Sequence, residues 1–313
     1  MSGAAKDQPA LMSLQASWYE ARARARIAGL LDHGSFVEFI GPGAREMSPH
    51  LDIFDLPKQF DDGMIVGGGR LAGKRVLVAA QEGRFMGGAF GEVHGAKLTG
   101  LLRAARELGD KIEAVLILFD TGGVRLQEAN AGELAIAEIM RAMLDLRAAG
   151  GRVIGLIGGR AGCYGGGGLI SACCSGLVVS EQGRISVSGP EVIETNKGVE
   201  EFDSKDRALV WRTMGGKARR LLGIADAFAD DAMASFREAA LTLIETAPRF
   251  DLAAMQAEQA RLERRLERFG ACKDAGEIWA ALGVNAPDEI PDLDAAAFVE
   301  IANARAETSH DAR

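Results

Sequence analysis

A repeated pattern of an apolar strand, a glycine-rich turn and a helix constrains the fold of this chain more than any other feature. The continuous apolar run AVLILF at 114–119 is typical of a strand buried on both faces, and the turn DTGGVR and a long helix follow it. The same order recurs with RVIGLI at 152–157 and GGRAGCYGGGG, and a third strand is indicated at 176–180. Because parallel strands in one sheet require right-handed crossovers, we predict an α/β fold built as a spiral of stacked ββα turns.

The remaining segments indicate four regions along the chain. Short β-like runs at 63–67 and 75–80 precede the repeats, and the chain beyond Gly198 is predicted to be helical to its end. The RARAR motif in an opening helix at 17–31 is interpreted as a solvated or partner-facing flank. The predicted regions are a flexible N-terminus at 1–16, a main domain at 17–245, a helical C-terminal extension at 246–303 and a frayed tail at 304–313.

The composition limits the classes of protein to which this chain can belong. With 313 residues and 48% hydrophobic content, the chain is long enough to bury a substantial globular core. A net charge of −8 disfavours nucleic acid as the main partner, because phosphate binding needs a concentrated basic surface. The four cysteines lack CxxC spacing, which favours a reducing compartment. Neither a basic leader with an apolar stretch nor an apolar run of membrane length occurs, so we expect a cytoplasmic protein without a membrane segment.

The glycine-rich turns supply a means of binding a negatively charged oxygen. Glycine lets the backbone approach a ligand closely, and N–H groups at the start of a following helix carry a partial positive charge. Gly123 and Gly165 lie one strand–helix cycle apart, so we expect the two turns to face one another and form an oxyanion hole. Such turns also bind phosphates or merely permit tight packing. GGGRLAG at 67–73 is not taken as a dinucleotide motif, because strands flank it and the required helix is missing.

Ionisable side chains suited to catalysis are few. The chain has four histidines and no HExxH, CxxC or paired-carboxylate motif, so neither a metal site nor a hydrolytic centre is expected. Cys163 lies where a peptidase of this kind would carry its nucleophile, yet no histidine occurs between His94 and His310 to act as its base, which favours a small buried residue. Tyr164, Glu128 and His94 are candidate proton donors, although each also has a structural interpretation.

A thioester enolate is the intermediate that suits such a site best. Decarboxylation of a malonyl thioester is the simplest route to it. The carboxylate leaves as CO2, and the carbonyl oxygen gains a negative charge that two preorganised N–H donors stabilise. This reaction requires a dry pocket and no nucleophile, which agrees with the scarcity of ionisable side chains.

Several segments resemble a known family. FDDGMIVGGGRLAGKRV, QEGRFMGGAFGEVHGAK, DTGGVRLQE and GCYGGGG resemble the carboxyltransferase branch of the crotonase superfamily. With ISVSGPEVIE and DRALVWRTMGGKARR, they are most similar to the beta subunits of biotin-independent malonate decarboxylases, over about residues 17–231. The resemblance implies a crotonase-like fold and a carbon–carbon lyase that converts a malonyl thioester on an acyl carrier protein to the acetyl thioester and CO2.

The same resemblance implies partners and site residues. A homologous gamma subunit would share the active site, and an acyl carrier protein would present the substrate on a CoA-like prosthetic group, with no cofactor bound covalently to this chain. Gly123 and Gly165 are the favoured donors, and Arg125 would bind substrate. The predicted oxyanion-hole residues are Gly122, Gly123 and Val124 on one side and Tyr164, Gly165 and Gly166 on the other.

A basic stretch at 205–220 stands out in this acidic chain. It contains Lys205, Arg207, Arg212, Lys217, Arg219 and Arg220. We expect Lys217, Arg219 and Arg220 to bind the phosphates of the prosthetic group or an acidic carrier protein. A solvated helix face, balanced by Asp203 and Asp206, explains the same residues equally well.

Two other functions fit parts of the sequence. A carboxyltransferase subunit of a biotin-dependent decarboxylase or acyl-CoA carboxylase would use the same oxyanion hole and would also need a surface for carboxybiotin. The bacterial acetyl-CoA carboxylase beta subunit usually carries a four-cysteine zinc ribbon near its N-terminus, whereas no cysteine precedes Cys163 here. A non-catalytic scaffold subunit paired with an active homologue is the alternative from another class.

Overall fold

The computed structural model describes residues 16–54 and 63–308 and confirms the α/β class. The α-helices are α1 (Ala23–Leu30), α2 (Glu92–Leu108), α3 (Ala131–Ala148), α4 (Gly166–Ala172), α5 (Pro190–Lys197), α6 (Arg207–Met214), α7 (Gly216–Leu221), α8 (Met233–Thr246), α9 (Leu252–Phe269), α10 (Ala275–Ala281) and α11 (Ala295–Thr308). The strands are β1 (Val37–Glu38), β2 (Met64–Leu71), β3 (Lys74–Gln81), β4 (Ala114–Phe119), β5 (Val153–Ile157), β6 (Cys163–Tyr164), β7 (Gly176–Val179), β8 (Ile185–Ser186) and β9 (Ala227–Phe228). Short 3-10 turns include Met86–Gly88, Leu126–Glu128 and Pro287–Asp292.

One large sheet organises the described part of the chain. Its strand order is β1-β2-β3-β4-β5-β7-β9, with β1, β2 and β3 antiparallel and the strands from β3 to β9 parallel. Every residue of β4 is buried, as its continuous apolar sequence predicts for a strand covered on both faces. The carboxyl ends of β4 and β5 therefore lie side by side, and the two glycine-rich turns leave the sheet from adjacent strands.

Helices cover the two faces of the sheet with separate apolar clusters. Alternate residues of a strand point to opposite faces, so Val115, Ile117 and Phe119 enter the cluster that contains residues of α2 and α3. Leu116 and Leu118 enter the other cluster, with residues of α1 and α8. The packing on both faces fixes the strand ends to which the turns are attached.

A second, smaller set of pairings completes the predicted ββα spiral. After β4, Thr121 bridges in parallel to Cys163, the first residue of β6, and β6 pairs in parallel with β8. A helix follows each of these short segments: α3 after Thr121, α4 after β6 and α5 after β8. Each cycle thus contains one strand of the large sheet, one short extended segment and one helix.

Two details differ from the sequence prediction. The chain beyond Gly198 is not helical throughout, because β9 joins the edge of the sheet beside β7. Arg26 of the RARAR motif is buried to 1% exposure, so the solvated interpretation is wrong for this residue. Arg22 and Arg24 are exposed as expected.

The C-terminal helices pack on the main domain through a third apolar cluster. Trp279 of α10 and Phe298 of α11 are buried there against Ala218 and Leu221 of α7. Helix α11 continues to Thr308, and the segments 1–15 and 309–313 lie outside the described residues. None of the helices in the described part of the chain combines the length and apolar character that a membrane-spanning segment needs.

Candidate active site

The two glycine-rich turns meet backbone to backbone. Gly123 has φ +136° and Gly165 has φ +57°, so both occupy conformations that residues with a side chain rarely adopt. A Cβ atom on Gly165 would lie 3.0 Å from the Cα atom of Gly123. The sequence prediction that these turns face one another therefore agrees with the geometry, and the close approach itself requires glycine.

Hydrogen bonding on the first turn decides which N–H group is available. Gly122 N–H donates to Gly87 O at 2.9 Å, and Gly123 N–H donates to Thr121 Oγ at 3.1 Å. Among the described residues, the N–H of Val124 has no hydrogen-bond acceptor. The donor expected on Gly123 is thus already used inside the turn, and Val124 offers the free donor on this side.

In the second turn, too, some N–H groups are hydrogen-bonded and others are not. Tyr164 N–H donates to Thr121 O at 3.0 Å and so holds the two turns together. Gly165 and Gly166 have N–H groups with no acceptor in the described part of the chain. Unpaired N–H groups are rare where no ligand or water satisfies them, so this meeting point is suited to bind an anionic oxygen.

A buried ion pair underlies both turns. One carboxylate oxygen of Asp120 accepts from Arg26 Nη1 at 2.7 Å, and the other accepts from Ala161 N–H at 2.7 Å. Gln81 accepts from Asp120 N–H at 3.1 Å and donates to Gly88 O at 3.1 Å. Asp120 begins the first turn and Ala161 lies in the second, so this carboxylate ties the turns to α1. Sequence reasoning missed this pair, although a charged residue directly after an apolar strand is a signal for it.

Arg125 lies inside the protein, and its position does not support the predicted contact with substrate. Its side chain has 0% exposure, donates to Glu128 Oε1 at 2.9 Å and donates to Ala89 O at 3.0 Å. Glu128 also accepts from Glu92 N–H at 2.6 Å, at the first residue of α2. Arg125 and Glu128 therefore join the first turn to the N-terminus of α2.

The candidate proton donors differ in how they are enclosed. Glu128 and His94 both have 0% exposure, and His94 contacts the ring of Phe90 edge-on at 4.8 Å between centroids. Cys163 is also fully buried, and burial raises the pKa of its thiol, which agrees with a small buried residue rather than a nucleophile. Tyr164 adjoins Gly165 directly in the chain.

No group of three or more His, Cys, Asp or Glu residues among those described is arranged to hold a metal ion.

The predicted phosphate-binding residues have separate surroundings. Lys217 is buried and donates to the carbonyls of Pro291 and Leu293 at 2.8 and 2.6 Å, with Glu181 at 3.3 Å. Its three donors are thus occupied, and its position does not support phosphate binding. Arg220 is partly buried near Asn303. The exposed cations of the basic stretch are Lys205, Arg207 and Arg212.

Arg219 belongs to a polar cluster around Tyr164. Its Nε donates to Ile185 O at 2.8 Å, and the Arg184 guanidinium lies 5.9 Å from the centroid of the Tyr164 ring. Burial raises the pKa of the Tyr164 hydroxyl, against the opposite effect of Arg184, and burial lowers the pKa of Arg219. Two cations and a buried phenol therefore lie next to the second turn.

Comparison with known proteins places the chain in a family. The carboxyl transferase domain model matches residues 20–250. The malonyl-S-ACP:biotin-protein carboxyltransferase of Malonomonas rubra is 40% identical over 295 residues, which cover 88% of this chain and 92% of that protein.

Solved structures show the same fold. A chain of the Pseudomonas malonate decarboxylase hetero-tetramer in complex with malonate has a TM-score of 0.78 and 37% identity, covering 87% of this chain and 99% of that one. A chain of the Pseudomonas MdcD–MdcE hetero-dimer has a TM-score of 0.65 and 35% identity, with coverage of 83% and 98%. The predicted crotonase-like fold and the resemblance to malonate decarboxylase subunits are confirmed. The chain belongs to the carboxyl transferase domain family.

Proposed function

We propose that this chain is the subunit of a malonate decarboxylase that removes CO2 from a malonyl thioester carried by an acyl carrier protein. The observation that carries the proposal is the close approach of Gly123 and Gly165, with unpaired N–H groups on Val124 and Gly165. Its relatives include a malonyl-S-ACP:biotin-protein carboxyltransferase and a malonate decarboxylase, both acting on malonyl groups or malonate by name. The family supports an enzyme that acts on carboxyl groups.

The chain's own groups would act by stabilising charge. The bond between the carboxylate carbon and the methylene carbon breaks, and its electron pair enters the thioester enolate as CO2 leaves. The N–H groups of Val124 and Gly165 would donate to the enolate oxygen, where negative charge develops. A proton from water or from Tyr164 then reaches the methylene carbon and completes the acetyl thioester.

A homologous partner subunit would complete the site. The two Pseudomonas structures are a hetero-tetramer and a hetero-dimer. Large apolar side chains are exposed on the segments next to the turns: Leu126 at 80%, Leu169 at 42% and Val187 at 60%. Exposed apolar side chains grouped around a polar site are typical of a subunit interface. The acyl carrier protein would supply the CoA-like prosthetic group, and Arg207 and Arg212 offer exposed positive charge for it.

Carboxyl transfer to biotin is the second candidate, because the 40% identical relative is a biotin-protein carboxyltransferase. The same oxyanion hole would stabilise the same enolate, but the carboxyl group would pass to biotin. The two functions are separated by measuring CO2 release from malonyl carrier protein with the assembled complex in the presence of avidin. Release that continues supports the decarboxylase, and release that stops assigns the chain to biotin-dependent transfer.

The role of the hole is tested by Gly165→Ala in the assembled complex. The added Cβ would lie 3.0 Å from Gly123 Cα, at a φ that strains any side chain, so we expect kcat to fall by about 10²-fold or more. Gly100→Ala is the matched control, because nothing lies within 4 Å of a Cβ there. Equal rates for the two variants, both folded and assembled, would exclude this hole and favour a scaffold subunit.

A further inference from the structure

A buried hydroxyl without a partner marks a second polar site, on the residue that precedes Gly165. The Tyr164 side chain is 6% exposed, and its hydroxyl makes no hydrogen bond to any described residue. A buried hydroxyl without a hydrogen-bond partner costs about 1–3 kcal/mol, so such hydroxyls are rare in native proteins. An unpaired hydroxyl on the residue before Gly165 therefore indicates that a ligand group completes it.

Two arginines lie near Tyr164 without a carboxylate of their own. Arg184 lies against the Tyr164 ring and donates to Arg160 O, and its Nε has no partner among the described residues. Arg219 is anchored through Nε to Ile185 O, one residue from Ser186, which pairs with Tyr164 across β6 and β8. Neither arginine forms an ion pair with any described acidic residue.

Charge in this Tyr164 cluster (Tyr164, Arg184 and Arg219) is unbalanced. Partly buried cations are usually paired, because removing a charge from water is costly. Glu191 of α5 is exposed, and among the described residues it forms no ion pair with either arginine. The cluster therefore keeps donors and positive charge for an anion from outside the chain.

We propose that the Tyr164 cluster binds the free carboxylate of the malonyl group while the thioester oxygen occupies the adjacent hole. The proposal rests on the proposed function. It names the residues that would bind the free carboxylate, which is the group that distinguishes a malonyl thioester from an acetyl thioester. Arginine guanidinium groups and a phenol hydroxyl are all donors that match a carboxylate.

Binding the carboxylate has a kinetic consequence. The negative charge on the carboxylate is lost as CO2 forms, so these contacts stabilise the bound substrate more than the transition state. Loss of the arginine contacts should raise KM and leave kcat unchanged or higher. A residue of the oxyanion hole behaves in the opposite way, because its contact strengthens as the enolate forms.

Tyr164→Phe is the sharpest test. It removes a hydroxyl that makes no hydrogen bond within the described chain, so thermal stability without ligand should not fall. Affinity for free malonate, measured by calorimetry on the assembled complex, should fall about 10-fold or more. Tyr19→Phe, at the other tyrosine of the chain, is the control and should bind malonate as wild type does.

Arg219→Met gives a second measurement with a charge-matched control. It should weaken malonate binding and raise KM, whereas Arg264→Met, on the exposed face of α9, should do neither. Unchanged malonate affinity in folded Tyr164→Phe and Arg219→Met would overturn the proposal. Phosphate binding at this cluster in place of malonate would also overturn it and assign the cluster to the prosthetic group. Malonate binding is measured without turnover, so it can fail or succeed independently of CO2 release.

Discussion

Asp120 shows how much a single buried carboxylate can organise. Its two oxygens contact Arg26 of α1 and the backbone of the second turn, and its own N–H is held by Gln81. Hypothetical Cβ atoms on Gly83 and Gly159 would lie 2.6 and 2.2 Å from its carboxyl carbon, so the surrounding backbone encloses it tightly. The residue cannot contact substrate from this position, and its effect on the site is one of positioning.

Removing this carboxylate should be costly. Asp120→Ala leaves Arg26 buried without its partner, and we expect a loss of about 3–5 kcal/mol in the free energy of unfolding, measured by chemical denaturation. Glu38→Ala, which breaks the exposed pair with Arg24 at 2.8 Å, should cost less than about 1 kcal/mol. Adding Arg26→Met to Asp120→Ala should recover part of the loss; if it does not, the unpaired charge is not the cause.

The sequence predicted those site residues whose backbone conformation requires a particular residue type. Gly123 and Gly165 could be found because only glycine fits their φ values and their close approach. The choice between the N–H groups of Gly123 and Val124 could not be predicted, since it depends on the Thr121 hydroxyl. The position of Asp120 directly after β4 is a signal for a buried charge, but Arg26 is 94 residues away and no local pattern identifies it as the partner.

At the scale of elements, the junction between the first turn and α2 depends on Glu128. Its carboxylate accepts from the first N–H of α2 and from Arg125, with no exposure to solvent. An acidic group at a helix N-terminus is stabilising, because it binds unpaired N–H groups and opposes the positive end of the helix dipole.

Glu128→Gln should loosen this junction before the whole domain unfolds. The amide keeps one acceptor but leaves the Arg125 charge buried without a carboxylate. We expect faster hydrogen exchange at the N–H groups of residues 87–95, with exchange in β4 and β5 unchanged. Faster exchange spread evenly over the sheet would show that Glu128 stabilises the fold globally and does not act at this junction.

Long elements were predictable, and the two-residue strands β1, β6 and β9 were not. The apolar runs of β4, β5 and β7 each fill a strand, and the long helix predicted after the first turn is α3. β1, β6 and β9 are too short to show a periodicity. β9 exists because Asp226 N–H and Ala229 N–H donate to Leu177 O and Val179 O, contacts that only the assembled sheet provides.

For the whole molecule, the exposed apolar residues next to the site predict where a partner binds. Leu126→Asp and Val187→Asp should weaken assembly with the partner subunit, measured by co-purification and sedimentation, because a charge would be buried in the interface. Leu266→Asp on α9, at 73% exposure, is the comparison. If Leu266→Asp dissociates the complex while the other two variants still assemble, the interface lies on α9 instead.

The covering of one sheet face by α1 and α8 also has a consequence during synthesis. Trp18 stacks on Phe236 at 4.0 Å between ring centroids, and the Ser17 hydroxyl donates to Asp231 at 2.6 Å. The apolar residues of α1 therefore have no complete covering until α8 leaves the ribosome, roughly 10–40 s later at about 5–20 residues per second. During this interval one face of the sheet in the nascent chain is only partly covered. Chaperones that bind apolar segments would bind to this face.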